Sequence, residues 1–283
     1  MTRIYLHALG GGHGHLRRAL GLSRALRARN AEVLVGVPAD HPGRAALRSA
    51  GIPTLGLTRA APRPTRARIG PRDAFVVDAL PRGVVGELED LDTGSCPRVL
   101  IRRLLRNPAG TEKYSRVIDV EPVEKGRGFG PVIAPSLQPA AAEVILVGGD
   151  PALDAFLRRL AARLHRAGVE ASLHCRRRGL GGTSPLEPVG LRGARCVVGA
   201  AGYHLVHEAR AVGVHHLALP RPRRFDDQHT RARAFARTPS SPEDLLRVLA
   251  EICSGHIEPR QPEPTRSFTE LAEDLLSALE SPR

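Results

Sequence analysis

The chain is poor in aromatic side chains and has no tryptophan. Phe, Trp and Tyr together make up 3% of its 283 residues. That is too few for a surface that stacks successive bases on aromatic rings, and no known nucleic-acid-binding module is recognisable in the sequence. We therefore expect no nucleic-acid partner.

Cysteine is also scarce. The four cysteines are Cys96, Cys175, Cys196 and Cys253. They form no Cys-x-x-Cys pair, so the sequence predicts neither a zinc site nor a redox motif. We interpret them as reduced thiols, which is typical of a cytoplasmic protein.

Long apolar runs are missing as well. The uncharged stretch from Phe129 to Ala142 contains three prolines, so it is not a transmembrane helix. The N-terminal residues do not resemble a signal peptide. The expected location is the cytoplasm, with at most peripheral contact at the inner face of the plasma membrane.

Lysine is nearly absent from a strongly basic chain. Only Lys113 and Lys125 are lysines among 42 basic residues, and the net charge is +13. Residues 1–142 hold 22 basic and 12 acidic residues, net +10, whereas residues 143–283 hold 20 and 17, net +3. The first half should therefore attract anions such as phosphates or anionic lipid. An arginine-rich surface without such a partner is the simpler alternative.

Apolar strands alternate with amphipathic helices in both halves, which is typical of doubly wound parallel sheets. In the first half the pattern predicts strands at 3–9, 32–37, 52–57, 74–78 and 99–101 and helices at 16–29, 42–50 and 83–91. In the second half it predicts strands at 144–147, 171–174, 196–198 and 216–219 and helices at 152–167, 203–212, 242–251 and 268–279. The Pro- and Gly-rich stretch 122–142 indicates a linker. We expect an α/β protein with two Rossmann-like domains facing across a cleft, at 1–138 and 143–283.

A glycine loop follows the first strand. It contains Gly11, Gly12, His13, Gly14 and His15. Glycine lets backbone N–H groups approach a ligand closely, and the following helix start favours an anion. A tight turn without a ligand is the structural alternative. A histidine here could act as a general base, and Asp78, at the end of a later strand, could orient it.

The second half contains a similar arrangement of strand, small-residue loop and helix. Gly202 and the helix start after it could hold a diphosphate. Glu208, further along that helix, could accept hydrogen bonds from a ribose. Asp227 and Gln228, after the next strand, offer an acceptor and an amide for sugar hydroxyls.

Two short motifs could suggest a metal, but neither predicts one. Asp90 and Asp92 form a D-x-D pair late in the predicted helix 83–91, where we expect a solvated helix end. His215 and His216 enter a predicted strand, so their rings should point to opposite faces and cannot chelate one metal ion.

These segments resemble the GT-B glycosyltransferases, especially the group near the bacterial lipid-linked N-acetylglucosaminyl transferase. The resemblance rests on the loop 10–16, on Asp78–Gly83 with Gly86–Leu88, and on the segment from Gly202 to Gln228. It implies an inverting, metal-independent transfer of a hexose or N-acetylhexosamine from a UDP-sugar. The acceptor is unknown, and the net charge of +10 in residues 1–142 suits an anionic or lipid-linked one. No cofactor is expected besides the donor.

The resemblance also implies residue roles. His15 matches the base for the acceptor hydroxyl, and Asp78 matches its carboxylate partner. Donor contacts are implied for Gly148, Gly149, Gly202, Tyr203, Glu208, Asp227 and Gln228, and an acceptor or phosphate loop for Gly11, Gly12, His13 and Gly14.

Two alternatives remain at this point. The UDP-sugar hydrolase of pseudaminic acid synthesis shares a Gly-x-Gly-His start and a basic pair like Arg17-Arg18. In that enzyme the loop histidine activates water. Alternatively, the loop residues Ala200 and Ala201 suit a degenerate relative that binds a nucleotide sugar without turning it over.

Overall fold

The computed structural model describes residues 1–10, 13–58, 60–106, 109–122, 128–136, 138–175 and 189–280. These residues form two compact units. The first unit holds the chain up to Val132 together with the C-terminal segment from Arg266. The second unit holds the described residues between Ile133 and Thr265.

The first unit is built on a six-stranded parallel sheet with strand order β3-β2-β1-β4-β5-β6. Its strands are β1 (Arg3–His7), β2 (Glu32–Pro38), β3 (Thr54–Leu57), β4 (Ala74–Asp78), β5 (Arg98–Arg102) and β6 (Arg116–Asp119). The central strands are almost fully buried, which explains why they are continuous apolar runs in the sequence. Strand order reverses between β1 and β4, and open α/β sheets bind ligands at the carboxyl ends of strands at such a point.

Four helices and one 3₁₀ turn accompany this sheet in the described residues. They are α1 (His13–Arg27), α2 (Gly43–Ser49), α3 (Arg66–Ile69), the 3₁₀ turn Thr111–Lys113 and the C-terminal helix α8 (Phe268–Glu280). On one side of the sheet, Tyr5, Phe75, Leu88 and Leu100 form a buried core. The two strands that flank the reversal, β1 and β4, therefore share a rigid support.

The second unit is built on a four-stranded parallel sheet with strand order β10-β9-β7-β8. Its strands are β7 (Val144–Val147), β8 (Ala171–His174), β9 (Cys196–Gly199) and β10 (His215–Ala218), and its helices are α4 (Pro151–Arg166), α5 (Tyr203–Val212), α6 (Gln228–Phe235) and α7 (Pro242–Cys253). One core of this unit joins Leu157 of α4 and Val248 of α7 to the strand residues Val144 and Val198. Helices α4 and α7 therefore bury their apolar sides in the same core as β7 and β9.

Local sequence signals fix the starts of two helices in this unit. Asp150 accepts a hydrogen bond from the Leu153 N–H, and Pro151 follows it at the first helical position. Ser241 caps α7 in the same way by accepting from the Asp244 N–H. These caps satisfy backbone donors that the first helical turn leaves open.

The position of the C-terminal helix differs from the domain boundaries that the sequence predicted. The sequence-based division placed everything from 143 to the C terminus in the second domain, whereas the structure assigns α8 to the first unit. Phe268 packs against Gly21 of α1, where a β-carbon would lie 2.4 Å from the aromatic ring, and Arg29 pairs with Glu273. The second unit also begins earlier, at Ile133.

The prediction of a helix at 83–91 is wrong. The segment forms turns, because Gly83 and Gly86 both have a φ of 81°, which a right-handed helix does not allow. Glu87 bends back and accepts hydrogen bonds from the N–H groups of Val84 and Val85 at 3.0 and 2.8 Å. The sequence-based prediction also missed β6, α3 and α6. No helix within the described ranges is long and apolar enough to span a bilayer.

Candidate active site

The start of α1 and the end of β4 meet at one edge of the first sheet. Strand β1 pairs with β4 so that His7 lies beside Val77, and both strands end at this point. Helix α1 begins at His13 and carries His15 over the end of β4.

His15 and Asp78 form a buried pair. His15 Nδ1 lies 2.7 Å from Asp78 Oδ2, and the two side chains are 7% and 2% exposed. Arg18, one turn along α1, donates from Nε to Asp78 Oδ1 at 2.7 Å and from Nη2 to Oδ2 at 3.0 Å. Because residues three apart share a helix face, α1 presents both partners to one carboxylate.

Local backbone features make room for the pair. A β-carbon on Gly10 would lie 2.1 Å from the ring of His15, so glycine is required there for the ring to take this position. Ala79, directly after Asp78, is fully buried and has a φ of 75°, a region that residues with a β-carbon rarely adopt. The chain therefore turns sharply away from the sheet immediately after the carboxylate.

Arg103 covers the other ring nitrogen of His15. It directly follows β5, and its Nη2 lies 3.1 Å from His15 Nε2. A guanidinium can only donate a hydrogen bond, so Nε2 is the acceptor and the ring proton lies on Nδ1, facing Asp78. The neighbours of His15 thus assign its tautomer.

The surroundings of both groups favour a neutral histidine beside an ionised carboxylate. Burial lowers the pKa of His15, and the charges of Arg103 and Arg18 act in the same direction against the opposing effect of Asp78. Burial alone would raise the pKa of Asp78, but Arg18 and His15 outweigh it and hold that pKa well below its usual range. An uncharged imidazole with a basic Nε2 is the form that can accept a proton.

A second buried network holds the neighbouring loop. Glu87 Oε1 lies 3.2 Å from His7 Nε2, and His7 Nδ1 lies 3.3 Å from the Tyr5 hydroxyl. A β-carbon on Gly83 would lie 2.2 Å from the Glu87 carboxylate. This network fixes the loop after Asp78 to β1 and gives the Gly83 and Glu87 positions a structural role.

A cavity of about 800 Å³ lies within the first unit next to this edge. Its lining includes Arg102, Arg103, Leu105, Arg116, Glu121 and Phe129. Arg103 therefore contacts His15 and also borders an open space that is lined by both apolar and charged side chains.

In the second unit, the loops after β7, β9 and β10 share one sheet edge, because Val147 pairs with Gly199 and Gly199 pairs with Ala218. Gly202 precedes α5 and no side chain caps this helix. A β-carbon on Gly202 or on Gly149 would meet no atom within 4 Å. Both glycines thus border open space.

Gly148 differs from these two glycines. A β-carbon there would lie 2.0 Å from Asp154 Oδ1, the atom that accepts from the Gly149 N–H at 2.8 Å. Asp154 is buried. This first-turn carboxylate therefore organises the 148–149 loop, and it also brings a negative charge close to it.

The remaining predicted donor residues of this unit are largely buried. Tyr203 and Glu208 are each 2% exposed. Asp227 caps α6 by accepting from the Thr230 N–H at 3.1 Å. Gln228 Oε1 accepts from the Arg221 N–H at 3.0 Å, so Gln228 orders the loop after β10.

Arg231 joins two of these loops. It is fully buried, and its Nη1 donates to the Ala201 carbonyl at 3.1 Å and to Asp226 Oδ1 at 2.8 Å. The loop before α5 is thereby tied to the loop before α6, which holds Gly202 in place.

Comparison with solved structures reveals the same architecture. The spinosyn rhamnosyltransferase SpnG matches with a TM-score of 0.62 at 18% identity over 99% of this chain and 96% of that chain. MurG of Acinetobacter baumannii matches with a TM-score of 0.62 at 15% identity over 98% and 99%. The Streptomyces sp. SF2575 glycosyltransferase SsfS6, complexed with thymidine diphosphate, matches with a TM-score of 0.58 at 15% identity over 98% and 100%. The chain has the GT-B fold.

The GT-B fold confirms the fold class that the sequence resemblance implied. No family model and no curated protein matches the chain, and at these identities the structural likeness establishes the fold. Within it, the structure joins His15 to Asp78, as the sequence predicted. Gly14 lies in α1, while Gly11 and Gly12 and the side chain of His13 lie outside the described residues.

The two short motifs that could suggest a metal have different outcomes in this GT-B chain. His215 and His216 enter β10 with opposite exposure: His216 is buried, and His215 Nε2 lies 2.8 Å from the Glu258 carbonyl. Asp90 and Asp92, expected at a helix end, lie in irregular structure. The described residues contain no cluster of His, Cys, Asp and Glu that could hold a metal ion.

Sequence reasoning missed three arginines of these sites. Arg18, Arg103 and Arg231 were not among the predicted site residues. In an arginine-rich chain, residue type carries little information. The position of Arg103 after the strand that neighbours β4 was the available signal, because ligands gather at that edge.

Proposed function

We propose that the protein is a glycosyltransferase that moves a sugar from a nucleoside diphosphate sugar to an acceptor hydroxyl. The observation that carries this proposal is the buried pair of His15 and Asp78, 2.7 Å apart, at the ligand-binding edge of the first sheet. The GT-B fold, shared with glycosyltransferases, supports it.

In the proposed reaction His15 is the general base. Its Nε2 takes the proton of the acceptor hydroxyl while that oxygen forms a bond to the anomeric carbon of the sugar. The bond between this carbon and the diphosphate breaks, and the nucleoside diphosphate leaves with the bonding electrons. Attack from the side opposite the leaving group inverts the anomeric configuration. Asp78 positions the ring and stabilises the imidazolium that forms.

The donor is proposed to bind to the second unit. Gly202 offers the uncapped start of α5, whose N–H groups and partial positive charge suit a diphosphate. Arg221 and Arg223 lie 3.5 and 3.7 Å from Asp150, near the same edge, and would offset the leaving-group charge without a metal. We propose a UDP-sugar that carries a hexose or N-acetylhexosamine. Three similar solved structures hold thymidine diphosphate, so thymidine donors belong in the same test.

The acceptor is proposed to be anionic or lipid-linked and to reach a cytoplasmic enzyme at a membrane surface. The net charge of +10 in residues 1–142 supports this, because a basic surface attracts anionic lipid. Flotation with vesicles of phosphatidylglycerol and phosphatidylcholine tests it. We expect binding to anionic vesicles that is lost in high salt, whereas equal recovery with pure phosphatidylcholine would remove the membrane part of the proposal.

The main experiment measures donor binding and turnover together. Thermal unfolding is followed with UDP, UDP-N-acetylglucosamine, other UDP-sugars, thymidine diphosphate sugars and NAD. A ligand at a hundred times its Kd stabilises the folded state by about 2.7 kcal/mol. Release of nucleoside diphosphate is then assayed with wild type, His15→Ala and His165→Ala. His165 is an exposed histidine at the end of α4 and is the matched control.

We expect one nucleotide sugar to stabilise the protein and His15→Ala to lower turnover by about 10²–10⁴-fold, with His165→Ala unchanged. Release of sugar 1-phosphate and nucleoside monophosphate would instead identify a hydrolase, with water as the nucleophile. Binding without turnover in any variant would identify a non-catalytic relative. If no nucleotide stabilises the protein, the donor site is wrong.

A further inference from the structure

The environment of His15 Nε2 is unusual for a nitrogen that is to act as a base, because the guanidinium of Arg103 already lies against it. Arg103 Nη2 lies 3.1 Å from this nitrogen, at the place where an acceptor hydroxyl would have to bind. The role of His15 as base, on which this inference rests, requires Nε2 to be uncovered.

The position of Arg103 allows it to move. It lies in the segment that directly follows β5, outside regular structure. It borders the cavity of about 800 Å³, whose lining also includes Glu121. Glu121 accepts from the N–H of Leu104 at 2.9 Å, so a carboxylate is fixed beside the backbone of Arg103. The cavity thus offers space, and Glu121 offers a nearby carboxylate, to a guanidinium that leaves His15.

The two other charged neighbours of His15 are held differently. Asp78 is bound to Nδ1 of His15, and Arg18 is bound to Asp78 through two hydrogen bonds. Both side chains are almost completely buried. Among the charged side chains that face His15 in the described residues, Arg103 is therefore the one that borders an open cavity.

We propose that Arg103 is a positioning residue that covers His15 Nε2 in the resting protein and uncovers it by turning into the adjacent cavity when the acceptor binds. Covered, the ring keeps its proton on Nδ1 and its Nε2 cannot take a proton from water. Uncovered, Nε2 accepts the proton of the acceptor hydroxyl. The arrangement restricts wasteful hydrolysis of the donor, in which water would replace the acceptor as nucleophile.

The test compares Arg103→Gln and Arg103→Lys with Arg102→Gln. Arg102 is the adjacent arginine, lines the same cavity and pairs with Asp119 at 2.7 Å, so it controls for loss of one positive charge. Nitrogen-15 NMR of labelled histidines, with His15 identified from the spectrum of His15→Ala, reports its pKa and its tautomer without any substrate. The dispersion of each spectrum shows whether the variant folds.

We expect the pKa of His15 to rise in Arg103→Gln, because the cation that opposes its protonation is gone. It should stay close to the wild-type value in Arg103→Lys and Arg102→Gln. Donor hydrolysis without acceptor should increase in Arg103→Gln, and the acidic limb of the pH profile of turnover should move upward with the pKa. An unchanged pKa and tautomer in a folded Arg103→Gln would overturn the proposal.

The two readouts separate this inference from the proposed function. If no variant or wild type turns over a nucleotide sugar, the glycosyltransferase proposal fails, while the NMR titration still decides whether Arg103 covers His15. If turnover depends on His15 but hydrolysis and the pH profile are unchanged in Arg103→Gln, the enzyme assignment stands and the covering role is rejected.

Discussion

Arg18 binds Asp78 through both of its carboxylate oxygens, from Nε at 2.7 Å and from Nη2 at 3.0 Å. This is a two-point contact between buried groups, with side chains 3% and 2% exposed. Arg18 therefore neutralises the charge of the Asp78 carboxylate at the end of β4. The same carboxylate also contacts His15 through Oδ2. The pair links the stability of the first unit to the orientation of the His15 ring.

Replacing Asp78 with asparagine should destabilise the protein by about 3–5 kcal/mol at neutral pH, because it leaves the buried Arg18 charge without its partner. Since the pKa of Asp78 is lowered in the folded state, its contribution is present above about pH 4 and is lost as pH falls toward that lowered value. Urea unfolding at several pH values measures both effects. Asp40→Asn, at an exposed carboxylate, should change little, and a neutral effect of Asp78→Asn at pH 7 would contradict the ion pair.

Gly202→Asp should separate folding from nucleotide binding. An aspartate at the N-cap of α5 satisfies an open backbone N–H, and its β-carbon meets no atom within 4 Å, so the melting temperature should not fall. Its charge would repel a diphosphate at the same place. Titration of UDP and thymidine diphosphate by calorimetry should show binding lost in Gly202→Asp and weakened far less in the uncharged Gly202→Asn. Unimpaired binding in Gly202→Asp would place the diphosphate elsewhere.

Gly10→Ala should reduce turnover more than it reduces stability. Its new methyl group would come within 2.1 Å of the His15 ring, which must then move from Asp78. The NMR tautomer signal of His15 should change. The rate of nucleoside diphosphate release should fall, at most by the factor seen in His15→Ala. Gly149→Ala, where the added methyl group has open space, should leave the His15 signal as it is in wild type. Wild-type turnover in Gly10→Ala would show that the ring can adapt.

Stability should also fall in mild acid because of His216. Burial lowers its pKa to about 4, and Arg260 and His207 act in the same direction. The unfolded chain binds a proton near pH 6.5, so stability is highest above that value and is lost as pH falls from about 6.5 toward 4. In His216→Leu this part of the pH dependence should disappear from urea unfolding curves. The same slope in wild type and His216→Leu would assign it to other groups, His15 first.

Much of the fold followed from local patterns. Strands such as Val144–Val147 are short apolar runs between Gly and Pro signals, and α4 is introduced by Asp150 and Pro151, so their positions were predicted closely. The 83–91 segment was mispredicted because its apolar spacing suits a helix, while its outcome depended on two glycines with positive φ and on the Glu87 carboxylate. Strand β6 was missed because an edge strand of four residues carries little apolar signal.

The amino-acid sequence alone determined that the chain forms two α/β units, that His15 follows the first strand and that Asp78 ends a later strand, since these features depend on periodicity and residue order. Only the tertiary structure decided that Arg18 and Arg103 are the arginines that contact the pair, that Arg231 joins the loops of the second unit, and that α8 returns to the first unit. These contacts join residues up to 244 positions apart. In a chain with 42 basic residues, tertiary packing decides which few of them contact the groups of the candidate site.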